Sequence, residues 1–294
     1  MPRNTILEQI LNLNKIYWVK KSILINKEIN FFKSKSIFVE GDKSLSIRFI
    51  ILSSLSNGKC YASNILKSED VISAVNSIKK LGIKIKFKKK YCEVSGKGLF
   101  GYKFKKNLVL DAGNSGTTAR LLLSILIDSN KKIKITGDKS LKKRDMNRVI
   151  KPLKLFGAKF ESKNGKLPIF IIGSKSLRSI KYTENLGSAQ CKSAILFAAL
   201  KTSGTTKLHC LPSRNHTELM FKNILKVPIK IKKQKRYEVI QVNGLKEFKS
   251  FNYKIPGDIS SASFFIVLTL LSKNKSLTIK NVNVNPSRTG IIKI

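Results

Sequence analysis

Residues 41–55, GDKSLSIRFIILSSL, carry the pattern that decides the fold: a glycine turn with polar residues, followed directly by an apolar run. Within the run, apolar side chains recur at helical spacing, at Leu45, Phe49, Leu52 and Leu55. Recurrence at three and four residues is typical of a helix that packs into a core. The stretch therefore predicts a buried helix that is entered through a tight turn.

The same pattern occurs four times along the chain. The later copies are GNSGTTARLLLSILI from Gly113, GSAQCKSAILFAAL from Gly187 and GDISSASFFIVLTLL from Gly257, and the opening glycines lie 72, 74 and 70 residues apart. A strand-like run follows each helix, and a second, more polar helix follows in the first three units. This period is longer than the roughly 20–50 residues of solenoid repeats. The sequence therefore predicts an α/β fold of repeated mixed α/β subdomains of about 70 residues.

The ends of the units are also informative. Gly82 and Gly157 stand where the second helices should end, which is the usual place for a left-handed closing residue. The fourth unit opens at Gly257 and reaches Ile294 after 37 residues, about half a unit, in a loop that enters a helix. We therefore expect the final repeats to be missing from a C-terminally truncated chain.

The charge is strongly positive, with 58 basic and 17 acidic residues and a net charge of +41. Such a charge is typical of proteins that bind nucleic acids or anionic membranes. However, 49 of the basic residues are lysines and 9 are arginines, they are spread along the chain, and phosphate-binding surfaces favour arginine. Drift in an AT-rich coding sequence explains this mixture better. A basic nucleic-acid-binding protein remains the alternative.

Cysteine and apolar patterns indicate the compartment. The four cysteines, none in C-x-x-C spacing, are Cys60, Cys92, Cys191 and Cys210. With two histidines in the chain, no zinc site is expected. Isolated cysteines and an N-terminus without a signal-peptide pattern predict a cytoplasmic location. Apolar stretches such as residues 264–271 are too short to span a bilayer.

Each glycine turn is a candidate anion site, because free backbone N–H groups and the helix dipole at a helix start attract negative charge. In the first unit, Lys43 and Arg48 bring two cations to the turn, and Ser44 shares a face with Arg48. The alternative for this turn is a serine N-cap, Ser44, with solvated charges.

The second unit also carries a candidate anion site at the start of its buried helix. Gly116 leaves room for a ligand, Asn114 and Thr117 supply donors, and Arg120 lies one turn further on. A glycine turn capped by Thr117 is the alternative. Arg144 and Arg148 follow at helical spacing, and arginine binds carboxylate or phosphate in a bidentate way that lysine cannot copy.

The third unit places Ser188, Ala189 and Gln190 at a helix start, with polar side chains at Ser188 and Gln190, although helix capping explains Ser188 equally well. Further on, SRNHTE offers Ser213, Arg214 and His216, and His216 is given no catalytic role. Several anion-ready helix starts in one repeated fold predict a small substrate that carries more than one phosphate or carboxylate.

Six motifs, in order, resemble those of the EPSP synthase family (3-phosphoshikimate 1-carboxyvinyltransferases, which are enolpyruvyltransferases). They are GDKSLSIR, LDAGNSGTTAR, ITGDKSLKKRDMNRVIKPLKLFGA, LGSAQCKSAIL, SRNHTE and PGDISSASFF. The resemblance runs from about residue 33 to the last residue. It implies a two-domain inverse α/β barrel of six repeats, with substrates bound between the domains. For this chain it implies an N-terminal extension (1–25), incomplete domain 1 fragments (26–43 and 256–294) and a domain 2 of three repeats (44–255).

The resemblance also implies a reaction. The enolpyruvyl group of phosphoenolpyruvate moves to the 5-hydroxyl of shikimate 3-phosphate and phosphate is released, a step toward chorismate and the aromatic amino acids. No cofactor or metal is implied. The partners are the two substrates, without membrane or nucleic acid, and we expect a monomer or a chain completed by a C-terminal fragment. Because the family's general-base Asp and Glu belong to the missing repeats, the activity of this chain alone is in question. An inactive remnant and a UDP-N-acetylglucosamine enolpyruvyltransferase are the further alternatives.

Site residues follow from the matching motifs. Lys43 is the catalytic candidate, as a positioned cation and possible proton donor. The residues implied for shikimate 3-phosphate are Lys43, Ser44, Arg48, Ser188, Ala189, Gln190, Ser213 and Arg214. Those implied for phosphoenolpyruvate are Lys43, Gly116, Arg144 and Gln190, and those that would shape its pocket are Asn114, Thr117 and Arg120. Gly116 also matches the form of the family that admits glyphosate, so an active protein should be sensitive to it.

Overall fold

The computed structural model describes residues 17–19, 22–24, 35–272 and 276–294. The first two segments form an antiparallel pair, β1 (Tyr17–Val19) and β2 (Ser22–Leu24). The rest of the expected extension (1–25) and the first part of the 26–43 fragment lie outside the described residues. Those predictions therefore stay predictions.

Helices and strands alternate as the repeats predict. The first unit contains β3 (Ser36–Phe38), α1 (Lys43–Leu55), β4 (Asn57–Ser63), α2 (Glu69–Lys80), β5 (Lys84–Phe87) and β6 (Cys92–Lys97). The second contains β7 (Leu108–Asp111), α3 (Gly116–Ile125), β8 (Ile133–Thr136), α4 (Lys139–Lys142), α5 (Asn147–Leu155), β9 (Lys159–Glu161) and β10 (Ile169–Ile172). The third contains β11 (Lys181–Glu184), α6 (Ala189–Ala199), β12 (Thr205–Cys210), α7 (His216–Leu219) with a π-helical turn (Met220–Ile224), β13 (Ile229–Lys233) and β14 (Glu238–Asn243). The fourth contains β15 (Asn252–Lys254), α8 (Ile259–Leu270), β16 (Thr278–Lys280) and α9 (Gly290–Lys293).

Three four-stranded sheets share one topology, with orders β15-β4-β6-β5, β7-β8-β10-β9 and β11-β12-β14-β13. In each sheet the first two strands are parallel and the other pairs are antiparallel. This confirms the mixed α/β fold of repeated units. The described strands form separate sheets and do not close into a barrel.

The first and fourth units exchange their leading strands. In the second and third units, the strand before the buried helix pairs with the strand after it. In the first unit, β4 pairs instead with β15, whereas β3 pairs with β16 of the fourth unit. This exchange adds residues 252–254 to the first sheet. It also pairs residues 36–38, near the start of the described segment 35–294, with residues 278–280, near its end.

Three of the helices that follow the glycine turns, α1, α3 and α6, are buried on nearly all sides, whereas α8, which was also expected to be buried, buries only Ile259 and Ala262. Every residue of α1 from Leu45 to Leu55 is buried, serines included. The buried hydroxyls of Ser54 and Ser124 donate to carbonyls three residues earlier, which satisfies them inside the core. By contrast, α2 buries one stripe, as a helix between core and solvent should.

Two hydrophobic clusters lie on either side of the exchange. The large one spans residues 45–255. The small one contains Val39, Ile259 and Ala262, with partly buried neighbours from α8 and β16. The expected division into residues 44–255 and the fragments 26–43 and 256–294 stays a prediction. None of the described helices could cross a membrane.

The glycine signals for the C-terminal ends of two helices are confirmed, whereas two cap predictions for helix starts are not. Gly82 and Gly157 take φ values of 88° and 113°, the left-handed region that glycine adopts without strain. They close α2 and α5, as expected. The cap prediction for Ser44 was wrong, because Asp42 caps α1, and the one for Thr117 was wrong, because Ser115 caps α3.

Candidate functional site

The starts of the buried helices meet through side-chain hydrogen bonds. The start of α3 is joined to that of α6, where Gln190 contacts Thr117 and Arg120. The start of α1 is joined to that of α8, where the backbone N–H of Lys43 donates to Asp258. The candidate residues of separate units therefore lie in one region.

Lys43 is the first residue of α1, directly after the cap. Its ammonium lies 3.5 Å from Asp70 Oδ2, and its side chain is 47% exposed. The charge is thus held in place by a carboxylate but remains accessible to a ligand. Ser44 lies one residue further into the helix, and its carbonyl accepts a hydrogen bond of 3.1 Å from Arg48 Nη1.

Arg48 lies inside the junction between helices and is 4% exposed. Its Nε donates to Thr217 Oγ1 at 2.8 Å, and its Nη2 donates to Ser193 Oγ at 2.7 Å. Burial lowers the pKa of Arg48 to about 10 against the opposing charges of Glu218 and Asp42, so it stays cationic at neutral pH. Arg48 therefore ties α1 to α6 and α7.

Two guanidinium groups close over Gly116. A Cβ at this position would lie 2.6 Å from Arg120 Nη1 and 3.3 Å from Arg144 Nη1. Arg144 Nη2 also donates to Asn114 Oδ1 at 3.4 Å. Burial, followed by the charges of Arg144 and Arg148, lowers the pKa of Arg120. The two guanidinium groups thus form a compact cationic cluster over a residue without a side chain.

The amide of Gln190 bridges two helix starts. Its Nε2 donates to Thr117 Oγ1 at 3.0 Å, and its Oε1 accepts a hydrogen bond from Arg120. Gln190 thus already has protein partners on both atoms. A ligand at Gln190 would have to share or replace these bonds.

The start of α6 is held by two side chains. Ser188 is the N-cap, and its Oγ accepts from Cys191 N at 3.3 Å, as the capping alternative predicts. Glu184, which is buried, accepts from the N–H groups of Leu186 and Ser188, both at 3.1 Å. Ala189 follows as the first helical residue. Glu184 thereby fixes the loop that leads into α6.

A cavity of about 770 Å³ opens at this helix start. Its lining comes from Gly187–Gln190, Pro212–Asn215, Lys233, Glu238 and Asn285–Ser287. Ser213 Oγ is buried there without a hydrogen-bond partner among the described residues. Arg214 forms no hydrogen bond or ion pair with the part of the chain that the structure describes. Burial and the nearby charge of Arg288 lower the pKa of Arg214. This combination is suited to an anion.

His216 is neutral at physiological pH. Burial lowers its pKa to about 3, and the charges of Arg48, Arg288 and Arg214 act in the same direction. Its Nε2 lies 3.5 Å from Asn283 Nδ2. The position is that of a packed, uncharged ring.

Several site residues were missed by sequence reasoning. Asp42 and Asp258 were detectable, because each follows a turn glycine and precedes a buried helix. Arg288, one of nine arginines, pairs with Asp258 at 3.0 Å. Glu184 and Lys233 carry no local signal, since only the tertiary structure brings them to the start of α6.

Comparison with known proteins places these features in a family. The family model of EPSP synthase (3-phosphoshikimate 1-carboxyvinyltransferase) matches residues 33–294. A 3-phosphoshikimate 1-carboxyvinyltransferase of Thermoanaerobacter sp. (strain X514) is 44% identical over 88% of this chain and 60% of its own length. One from Caldicellulosiruptor bescii is 43% identical over 89% of this chain and 60% of its length. The solved EPSP synthase of Acinetobacter baumannii is 34% identical, with a TM-score of 0.79 over 88% of this chain and 58% of that structure. The chain thus spans about 60% of the length of the curated relatives it matches.

Proposed function

Because the chain belongs to the EPSP synthase family, we propose that it catalyses the transfer of the enolpyruvyl group from phosphoenolpyruvate to the 5-hydroxyl of shikimate 3-phosphate. The bond between the enol carbon of phosphoenolpyruvate and its phosphate oxygen breaks, and a bond between that carbon and the 5-oxygen forms. The proton of the 5-hydroxyl leaves with the released phosphate. The protein would act as a transferase of the shikimate pathway, in aromatic amino acid biosynthesis.

We assign shikimate 3-phosphate to the cavity at the start of α6. The observation that carries this assignment is the buried, unpartnered Ser213 Oγ beside the unpaired guanidinium of Arg214. A buried hydroxyl without a partner costs free energy unless a ligand satisfies it. Ser188 and Ala189 add the N-terminus of a long helix, which favours a phosphate group.

We assign phosphoenolpyruvate to the cationic cluster over Gly116. Arg144 and Arg120 lie close enough for two guanidinium groups to hold one carboxylate or phosphate. Two anionic substrates repel each other, and clustered cations offset that repulsion when the substrates lie side by side. Lys43, held by Asp70, would bridge the two as the positioned cation and proton donor.

Calorimetric titration of the full chain with shikimate 3-phosphate tests the assignment. Arg214→Ala should raise the dissociation constant about tenfold or more, whereas Arg236→Ala, which removes an exposed arginine outside the cavity, should leave it unchanged. Turnover is followed as phosphate release from phosphoenolpyruvate. A wild-type chain that does not bind shikimate 3-phosphate at millimolar concentration contradicts the proposal. Binding of UDP-N-acetylglucosamine, or salt-sensitive binding of nucleic acid alone, would then support one of the alternatives.

Location and assembly are further parts of the proposal. We place the protein in the cytoplasm, which is supported by four free, buried cysteines. We propose a monomer. The alternative partner, a complementing C-terminal polypeptide, would have to cover exposed apolar side chains of α8, such as Phe264 and Leu270. Light scattering of the purified chain measures the state directly.

A further inference from the structure

We propose that Lys233, which belongs to none of the family motifs, is an additional binding residue for the phosphate group of the ligand at the start of α6. This inference rests on the proposed function and adds a contact to it. Lys233 is the last residue of β13 and lines the same cavity as Ser188, Ser213 and Arg214. Cations from two segments of the chain therefore face one helix N-terminus.

Lys233 lacks the partner that its position offers. It stands directly across from Glu238 in the β13–β14 pair, and facing residues of opposite charge in such pairs commonly attract each other. Lys233 nevertheless makes no ion pair with the described residues, while Glu238 Oε2 lies 3.7 Å from the ammonium of buried Lys192. That ammonium also lies 2.7 Å from Glu218 Oε1. Two carboxylates thus surround one buried cation, and the charge of Lys233 remains available to a ligand.

The backbone holds Lys233 at the rim of the cavity. In the turn that follows, Gln234 N donates to Tyr237 O at 2.7 Å, and the two strands pair from Ile229 to Lys233. A side chain at the base of a tight hairpin loses little backbone freedom when a ligand binds. The neighbouring exposed cations Lys235 and Arg236 belong to the same hairpin but do not line the cavity, so they supply matched controls.

Calorimetry of shikimate 3-phosphate binding to the full chain tests the contact. Lys233→Ala should raise the dissociation constant roughly fivefold to tenfold. Lys235→Ala removes the same charge two residues away and should change the dissociation constant less than about twofold, and Lys233→Arg should retain most of the affinity. Equal dissociation constants for the Lys233→Ala and wild-type chains overturn the inference. Equal losses in Lys233→Ala and Lys235→Ala also overturn it, because they show only the net charge of the hairpin.

A phosphorus NMR titration of the bound ligand separates phosphate from carboxylate. A cation next to a phosphate lowers the pKa of that phosphate, so Lys233→Ala should move the titration midpoint of bound shikimate 3-phosphate to higher pH. An unchanged midpoint contradicts a phosphate contact. Failure of the wild-type chain to bind shikimate 3-phosphate refutes the proposed function itself. If the wild-type chain binds it and Lys233→Ala binds it equally well, only the role of Lys233 is refuted.

Discussion

Asp258 accepts a hydrogen bond of 3.2 Å from the backbone N–H of Lys43, although 215 positions separate the two residues in the chain. The same carboxylate caps α8 through Ser260 N at 2.8 Å and pairs with Arg288 Nη2 at 3.0 Å. The first turn of α1, which carries the catalytic candidate, is therefore positioned by the fourth unit. Removing residues 256–294 would take away the acceptor of the Lys43 N–H even if the first three units stayed folded, while Asp70 would still hold the ammonium.

Replacement of Asp258 tests this coupling. Asp258→Ala should lower the free energy of unfolding by about 2–4 kcal/mol, because it removes a cap and leaves Arg288, which is largely buried, unpaired. Asp138→Ala removes the N-cap of α4, whose carboxylate pairs with no cation among the described residues, and should cost about 1 kcal/mol. Urea unfolding of both variants gives the comparison. Equal losses would mean that the contacts to Arg288 and Lys43 contribute nothing.

The space over Gly116 should control the second substrate. Gly116→Ala places a methyl group 2.6 Å from Arg120 Nη1, so the guanidinium groups must move. Affinity for phosphoenolpyruvate, measured in the presence of shikimate 3-phosphate, should fall about tenfold, with shikimate 3-phosphate binding unchanged. Gly290→Ala serves as the control, because no described atom beyond its chain neighbours and its own helix backbone lies within 4 Å of the added carbon.

Glyphosate provides a related measurement. The wild-type chain saturated with shikimate 3-phosphate should bind glyphosate. Gly116→Ala should weaken that binding, because the added methyl group occupies space that glyphosate needs. The titration is followed by calorimetry. Indifference of the wild-type chain to glyphosate would contradict the assignment of phosphoenolpyruvate to this cationic cluster.

Arg48 should be irreplaceable by lysine. Its guanidinium group donates hydrogen bonds to both Thr217 and Ser193, and a lysine ammonium cannot reproduce that planar geometry. Arg48→Lys should lower the free energy of unfolding by about 2–3 kcal/mol, and Thr217→Val by about 1–2 kcal/mol. Thermal and urea unfolding measure both. Full stability of Arg48→Lys would show that the guanidinium is not the link between the helices.

Stability should fall in mild acid because of His216. Its pKa is lowered from 6.5 to about 3 in the folded protein, so the unfolded chain takes up a proton first as the pH drops. The contribution is fully present above pH 6.5 and is lost as the pH falls from there toward 3. Between pH 7 and 5 the loss should be up to about 2 kcal/mol.

Urea unfolding at these two pH values measures the loss. His216→Gln should remove this part of the pH dependence, while the matched variant of the other histidine, His209→Gln, should keep it. A wild-type slope that survives in His216→Gln would assign the dependence to other groups.

Much of the fold was predictable from the sequence, since its signals are local. Glycine turns, apolar residues at helical spacing and closing residues such as Gly82 act within a few neighbours, and they predicted the buried helices and the repeated α/β units. The motifs at the helix starts also predicted Gly116, Arg144 and Gln190 as site residues, and the structure brings these together.

Tertiary structure alone decided the strand exchange and the inner connections of the site. Nothing local specifies that β3 pairs with β16 while β15 pairs with β4, because backbone donors and acceptors are the same in every strand and packing selects their partners. For the same reason Arg48 is buried between helices, and Lys233 lines the same cavity as Ser213. The sequence specifies the chemical groups that each residue carries. The partners and the exposure of a side chain, and therefore its role, depend on contacts made across the fold.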